Sequence, residues 1–239
     1  MVRKYILFLL VLVGLVLAAC ATTPAPTATS VSAPASQSAS SASAASVASS
    51  SAVSALPSDT VKLVIVPSTS EARFRAHEVL AGNTLPNDAV GATKVMEGTV
   101  IGKMDGTIVA AQSKFQVDLR TLKSDQAMRD QFIQRTTLDT AKYPYATFVP
   151  TQATGLPKTL PADGKINFQL VGNMTVRDVT KPMTWDVKSQ VNGDTITGNA
   201  VTQVNFELFN MTKPSVARVL SIEDNFKLEL DFTLQRVYN

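Results

Sequence analysis

The stretch that decides the fold is Phe226-Lys227-Leu228-Glu229-Leu230-Asp231-Phe232-Thr233-Leu234-Gln235, in which apolar and polar residues strictly alternate. Successive side chains of a β-strand point to opposite faces, so a period of two places every apolar residue on the same face. The stretch therefore predicts a strand with one buried face and one solvated face.

Shorter alternating runs precede this strand along the chain. They are Val61–Val66, Arg73–Val79, Val95–Ile101, Lys114–Leu119, Ala146–Val149, Ile166–Val171, Met183–Val187 and Thr195–Phe206. Gly98 and Gly198 interrupt two of them and predict bulges or bends. Turn residues separate the runs, and Asn192-Gly193-Asp194 is typical of a tight hairpin. About eight antiparallel strands in succession predict an all-β fold closed as a barrel, because closure removes exposed edges.

One segment, Ser124–Ile133, departs from the period of two. Met128 and Phe132 lie four residues apart with charged residues on the other faces, and Ser124 or Asp125 can cap the start. The segment predicts a short helix across the surface or the mouth of the barrel.

The N-terminus carries a different signal. Arg3 and Lys4 precede an apolar run over Tyr5–Leu17, which is typical of a secretory signal peptide. Leu17-Ala18-Ala19-Cys20 ends it with the only cysteine of the chain and resembles the lipobox of bacterial lipoproteins. That resemblance implies a signal peptide over residues 1–19 and a lipid on Cys20. The alternatives are a plain signal peptide or an uncleaved anchor, although the apolar run is shorter than the roughly 20 residues of a membrane span.

Ala21–Ser58 is almost entirely Ala, Ser, Thr, Pro and Val, without a charged residue. Such a composition buries too little apolar surface to fold, so we expect residues 20–58 to be a disordered tether. Residues 59–239 have the length of one domain. Together these features predict a membrane-anchored lipoprotein of the cell envelope, on the extracytoplasmic side, either periplasmic or on the cell surface.

Charge argues against nucleic acid as a partner. Of 22 basic residues, Arg3 and Lys4 leave with the signal peptide, so 20 remain against 19 acidic residues. The sequence has no dense cluster of Lys and Arg interleaved with aromatic residues, which is the usual mark of a nucleic-acid interface.

Two long motifs resemble the YceI-like family. One runs from Met128-Arg129-Asp130 to Leu138-Asp139-Thr140-Ala141-Lys142-Tyr143-Pro144-Tyr145-Ala146-Thr147-Phe148, and the other is Gly172-Asn173-Met174-Thr175-Val176-Arg177-Asp178-Val179-Thr180-Lys181-Pro182-Met183-Thr184. Phe206–Asn210 and the strand that follows are similar to the closing stretch of that family. The resemblance covers about residue 61 to the C-terminus. It implies a lipocalin-like antiparallel β-barrel that binds a long polyisoprenoid lipid in its interior.

The first strand departs from the family pattern. The family commonly has an Arg- or Asn-containing apolar run followed by His, whereas this chain has Phe74-Arg75-Ala76-His77-Glu78-Val79-Leu80-Ala81-Gly82. The departure indicates a subgroup within the family.

The candidate ligand-binding residues are the side chains expected to face the barrel interior. They are Phe74, Ala76, Glu78, Phe115, Phe148, Phe168 and Phe232. An eight-stranded barrel either fills with side chains or holds one slender ligand, and an apolar lining suits an apolar ligand. A filled barrel that acts as a structural or stress-related interaction module of the envelope is the alternative. The sequence leaves the lipid's identity and the oligomeric state open.

Glu78 is the exceptional member of this set, because the period set by Phe74 and Ala76 turns its carboxylate inward. A buried carboxylate is costly unless it is paired, and Arg177 and Arg218 are the candidate partners. Glu78 then either contacts a ligand head group or forms a salt bridge that closes the rim. For Arg129 on the predicted helix, we expect a partner outside the helix that fixes the helix to the barrel.

The sequence offers little for catalysis. His77 is the only histidine, which excludes clusters of histidine ligands, and no Gly-x-Ser-x-Gly motif is present. We therefore predict a binding protein without catalytic residues, metal ligands or a cofactor.

Overall fold

The computed structural model describes residues 59–82, 87–215 and 219–238. Ten β-strands lie in these ranges. They are β1 (Val61–Ile65), β2 (Glu71–Leu80), β3 (Asn87–Thr93), β4 (Met96–Gly102), β5 (Lys114–Asp118), β6 (Tyr145–Thr154), β7 (Lys165–Val176), β8 (Val179–Asn192), β9 (Thr195–Asn205) and β10 (Val219–Val237). The helical elements of the described ranges are one α-helix, α1 (Ala127–Phe132), a π-helical turn at Ile133–Thr137 and four single 3₁₀ turns.

The strands form one closed antiparallel barrel. All neighbours pair antiparallel in the order β1-β4-β5-β6-β7-β8-β9-β10, and β10 returns to β1. One edge of β10 pairs with β1 at residues 234–237 and with β2 at residues 219–231, so β1 and β2 act as two halves of one bent strand. β3 pairs with β2 and β4 pairs with β1, so β3 and β4 likewise act as two halves of a second bent strand. The ten segments therefore close as eight strands, and the predicted barrel is confirmed.

The long alternation at the C-terminus has the predicted role. β10 pairs with β9 over residues 225–235 without a register shift, and Phe226, Phe232 and Leu234 are buried inside the barrel. The β8–β9 connection is the predicted two-residue hairpin, in which Gly193 has a φ of 59°. β3 was missed by the alternation analysis.

The two ends of the barrel differ. At the helix end lie α1, the end of β2, the connection that follows β7, and the 3₁₀ turn Glu207–Phe209. At the opposite end lie the start of β1, the β4–β5 and β6–β7 connections, and the β8–β9 hairpin. We keep the names helix end and opposite end below.

The predicted helix is present. α1 begins at Ala127 and continues into a wider π-helical turn at Ile133–Thr137. Met128 is 72% exposed, whereas Arg129 and Ile133 are buried against the barrel. The buried face of the helix therefore includes a charged residue and leaves Met128 in solvent.

The predicted bulges at Gly98 and Gly198 are wrong. Both residues lie in continuous register with their partner strands. The register shifts of the barrel occur instead between Pro150 and Gln152 on β6 and at two places in β10, opposite β2. None of the helices in the described ranges is long and apolar enough to cross a lipid bilayer.

Candidate functional site: a cavity along the barrel axis

The barrel encloses a cavity of about 520 Å³. Its walls include inward-facing side chains of all eight strands of the barrel, from Val61 and Met104 at the opposite end to Phe209 and Ile222 at the helix end. Ligand pockets for small molecules typically measure about 300–1,000 Å³, so this space is large enough for a ligand. The lining is dominated by aliphatic and aromatic side chains, which favours an apolar occupant.

The structure places all seven predicted interior residues on the wall of this cavity. They are Phe74, Ala76, Glu78, Phe115, Phe148, Phe168 and Phe232. The predicted inward positions on this strand, which is β2 in the structure, are therefore correct, because Phe74, Ala76 and Glu78 share its inner face. Ligand binding by these residues remains a prediction.

Four of the phenylalanine rings lie against glycines of neighbouring strands. The pairs are Phe74 with Gly91, Phe115 with Gly98, Phe148 with Gly172 and Phe232 with Gly198. In each pair, a Cβ atom on the glycine would collide with the ring. The rings therefore lie along the wall, and their bulk is kept out of the lumen.

Glu78 is buried and paired, but its partner is Arg129 and not the predicted Arg177. Its Oε1 accepts a hydrogen bond of 2.5 Å from Nη2 of Arg129 on α1. Arg177 instead donates to the carbonyl oxygen of Asn210, and its guanidinium lies 5.7 Å from the ring centre of Tyr143. Arg218 lies outside the described residues. The expected anchor between Arg129 and the barrel is thus present, and its acceptor is Glu78.

A second contact of Arg129 stabilises the start of the helix. Its Nη1 donates to Asp125, four residues earlier, at 2.6 Å. Asp130 also holds this turn, because its Oδ1 accepts from the backbone N–H and the hydroxyl of Ser124. The helix is therefore fixed to β2 by one buried ion pair. The predicted cap by Ser124 or Asp125 is wrong, because the N-cap residue is Gln126 and it makes no side-chain capping hydrogen bond.

Four buried polar atoms of cavity-lining residues have no hydrogen-bond partner among the described residues. They are Oε2 of Glu78, Oγ1 of Thr137, Nε1 of Trp185 and Nε of Arg236. Buried polar groups are nearly always hydrogen-bonded, so such atoms on the wall of a cavity indicate where a ligand or water completes the site. Trp185 also packs edge-on against Phe148, with ring centres 6.0 Å apart.

At the opposite end, the wall of the cavity reaches the surface. Met104 is 53% exposed and Leu160 is 49% exposed, and both belong to the cavity lining. Lys103 lies beside them and forms an ion pair of 2.7 Å with Asp59. Among the described residues at the helix end, by contrast, Ile133, Leu138 and Phe209 of the lining are buried. The cavity therefore reaches the surface at the opposite end, and we call this opening its mouth.

His77 lies away from the cavity on the outer face of β2. Its side chain is half-exposed, and Nδ1 contacts Asp88 on the adjacent strand. No group of three or more His, Cys, Asp or Glu residues with the spacing of a metal site occurs in the part of the chain described here. Cys20 lies outside the described residues.

An eight-stranded antiparallel barrel with an apolar cavity defines a lipocalin-like fold. A family model for the YceI-like domain matches residues 63–234. The chain belongs to the YceI-like family. A comparison with curated proteins found no match.

Solved structures share the fold at low sequence identity. BcnA of Burkholderia cenocepacia is 19% identical, with a TM-score of 0.51, over 73% of this chain and 99% of that chain. A polyisoprenoid binding domain from Saccharophagus degradans, described as implicated in plant cell wall breakdown, is 11% identical. Its TM-score is 0.57, over 73% of this chain and 98% of that chain.

Sequence reasoning missed Trp185 as a member of the site. Trp185 belonged to a predicted strand, and counting by two from Met183 and Val187 would have turned it inward. Arg129 was expected to fix the helix to the barrel, but nothing in the sequence placed it on the cavity wall, because a charged residue on a short helix is usually solvated.

Proposed function

We propose that this protein binds a slender, apolar lipid of the polyisoprenoid type along the axis of its barrel, and that it carries this lipid without chemical conversion. The observation that supports the proposal is the cavity of about 520 Å³ with a lining dominated by apolar side chains. An apolar chain gains roughly 0.8 kcal/mol for each CH₂ group that it buries, so a long hydrocarbon is the natural ligand of such a wall.

The extent of the cavity along the barrel favours a long, slender ligand over a compact one. The lining extends from residues of the mouth to Phe209 and Ile222 at the helix end, so the space follows the barrel axis. The glycine–phenylalanine pairs keep the rings flat against the wall along this path. The related domain from Saccharophagus degradans is named as polyisoprenoid-binding, which agrees with this ligand class.

A filled barrel that serves only as a structural module fits these observations less well. In such a barrel the inward side chains would meet at the axis and leave no space larger than a few water molecules.

The proposal extends to location. We propose that residues 1–19 are a signal peptide, that Cys20 carries a lipid anchor, and that residues 20–58 tether the barrel on the extracytoplasmic side of the membrane. β1 begins at the mouth, where Val61 pairs with Gly102.

The experiment that tests ligand binding is extraction of the purified protein. The full chain is expressed in a bacterium, purified from membranes, extracted with organic solvent and analysed by mass spectrometry. We expect a polyisoprenoid lipid in near-stoichiometric amount. Protein that is free of lipid, and that fails to take up polyprenyl lipids added after purification, would support the filled-barrel module instead.

A matched pair of variants localises the ligand. Ala76→Phe places a ring in the cavity, since Ala76 is buried on the inner face of β2. Ala92→Phe makes the same change on β3 at a position paired with Arg73, whose charged contacts lie on the outside of the barrel. We expect several-fold less lipid in Ala76→Phe and an unchanged amount in Ala92→Phe.

A further inference from the structure

We propose that the cavity has a polar pole at the helix end, which binds an uncharged hydrogen-bond donor at one terminus of the lipid. An alcohol, a phenol or a primary amide has this chemistry, whereas a phosphate or a carboxylate does not. The inference rests on the proposed function and adds the chemistry and the orientation of the ligand.

Glu78 is the centre of this pole. Its side chain is 1% exposed, and only one of its two carboxylate oxygens is bonded, to Arg129. The other oxygen, Oε2, is buried, has no hydrogen-bond partner among the described residues and belongs to a residue of the cavity wall. An ionised carboxylate accepts hydrogen bonds on both oxygens, and a buried one without a donor is costly. The free oxygen therefore requires a donor from inside the cavity.

Thr137 adds a second polar group to the same end. It is 3% exposed, it lies in the π-helical turn that follows α1, and its Oγ1 has no hydrogen-bond partner. A threonine hydroxyl both donates and accepts, so it complements a terminal hydroxyl or amide. Leu138 and Ile133 flank it with buried apolar side chains, which leaves the cavity as the direction from which a partner can come.

The charges at this end select against an anion. Arg129 is shared between two carboxylates, those of Glu78 and Asp125, so the cluster of three side chains carries a net negative charge. A phosphate beside Glu78 Oε2 would face repulsion in an environment of low dielectric constant. A neutral donor satisfies Oε2 without adding charge.

The position of the pole fixes the direction of entry. Glu78 lies next to Arg129 of the covering helix, while the exposed lining residues Met104 and Leu160 lie at the opposite end. A lipid that enters through the mouth reaches Glu78 with its polar terminus leading, and its hydrocarbon chain fills the barrel behind it.

Fluorescence of Trp185 measures binding directly, because it is the only tryptophan of the chain and it lies on the cavity wall. The delipidated full chain is titrated with three C20 probes: geranylgeraniol, geranylgeranyl diphosphate and the hydrocarbon phytane. We expect geranylgeraniol to bind about tenfold more tightly than phytane, as one hydrogen bond to a buried charged group would give. The diphosphate should bind no better than the hydrocarbon.

Two variants assign the preference to the pole. Glu78→Leu/Arg129→Met removes both charges together, which avoids leaving either one buried alone. Thr137→Val removes only the hydroxyl, and its matched control is Thr202→Val, at a buried threonine outside the cavity wall. We expect the double variant to bind the alcohol and the hydrocarbon equally, Thr137→Val to lose part of the preference, and Thr202→Val to keep all of it.

The outcomes separate this inference from the proposed function. If no probe binds to the original protein, lipid binding itself is wrong. If alcohol and hydrocarbon bind equally, the protein binds lipid but Glu78 Oε2 does not contact it, and the inference fails. Tighter binding of the diphosphate would overturn it as well and would place the head group at the mouth, near Lys103 and Arg236.

Discussion

The backbone of Gly98 lies directly beneath the ring of Phe115, its register partner across β4 and β5. A Cβ atom at residue 98 would overlap the ring, to which its three nearest atoms all belong. The ring therefore occupies the space that a side chain on residue 98 would take. Because Phe115 lines the cavity, this contact keeps the lumen open beside it.

Gly98→Ala is accordingly predicted to narrow the cavity. The added methyl group displaces the ring of Phe115 toward the axis, and such overpacking typically costs about 1–3 kcal/mol of stability. We expect a lower melting temperature and less lipid in extracts of the purified protein. Gly98→Ala/Phe115→Leu is the control, because a smaller side chain at 115 removes the overlap. If the single variant retains full lipid, the ring can move without entering the path of the ligand.

This contact also shows why sequence alone misjudged the glycines. A glycine within an alternating run signals either a bulge or the close approach of another group, and only the neighbouring strand decides between them. Register places Phe115 opposite Gly98 and Phe232 opposite Gly198. Those pairings join residues that are distant along the chain, so no local pattern contains them.

The alternating pattern was sufficient for most of the barrel but not for β3. β3 reads Asn-Asp-Ala-Val-Gly-Ala-Thr, in which small residues replace the large apolar ones. Its inward positions must be small because Phe74 and Ala76 of β2 pair with Gly91 and Ala89. Because these positions must be small, β3 lacks the large apolar residues from which an alternating strand pattern is recognised.

Only part of the buried ion pair between Glu78 and Arg129 could be predicted from the sequence. The period of β2 correctly placed Glu78 inside and demanded a partner for it. Arg129 was expected to fix the helix to the barrel, yet nothing local to either residue joined the two. Glu78 and Arg129 are 51 positions apart, and only the position of α1 over the end of the barrel brings them together.

A single and a double variant of this pair test whether the ion pair anchors the helix. Arg129→Met leaves Glu78 buried without its cation, and loss of one partner of a buried pair typically costs about 3–5 kcal/mol. Glu78→Leu/Arg129→Met should be markedly more stable than Arg129→Met, since no lone charge remains. Urea unfolding of the full chain measures both. Equal stabilities for the two variants would mean that Arg129 does not compensate the buried charge of Glu78.

Contacts of Asp231 on the outer face of the barrel predict how the stability of the protein depends on pH. Asp231 of β10 accepts hydrogen bonds from Arg73 at 2.5 Å and Asn199 at 2.7 Å. Partial burial by itself raises the pKa of this carboxyl, but the bonds from Asn199 and Arg73 outweigh it and hold the pKa below its ordinary value of 3.8. A lowered pKa in the folded state stabilises the protein above the unfolded pKa, and this stabilisation is lost as the pH falls through the folded value.

Asp231→Asn should therefore lower the melting temperature at pH 7 and have a vanishing effect near pH 2. The expected loss at pH 7 is less than about 1 kcal/mol, because the side chain is 47% exposed and solvent screens the pair. Thermal unfolding at a series of pH values measures the difference between variant and original. A difference that stays constant down to pH 2 would show that the carboxylate does not stabilise the fold through its charge.

The final prediction concerns Cys20 and the proposed anchor. Cys20→Ser removes the thiol that would carry the diacylglyceryl group, so neither lipid attachment nor cleavage before residue 20 should follow. Labelling of cells with a radioactive fatty acid, combined with fractionation, compares the variant with the original protein. We expect label and mature-size protein in the membrane fraction for the original, and neither label nor the mature size for Cys20→Ser. Thr22→Ser, two residues further along, is the matched control and should be processed normally. If Cys20→Ser is labelled and processed like the original protein, the lipoprotein assignment is wrong.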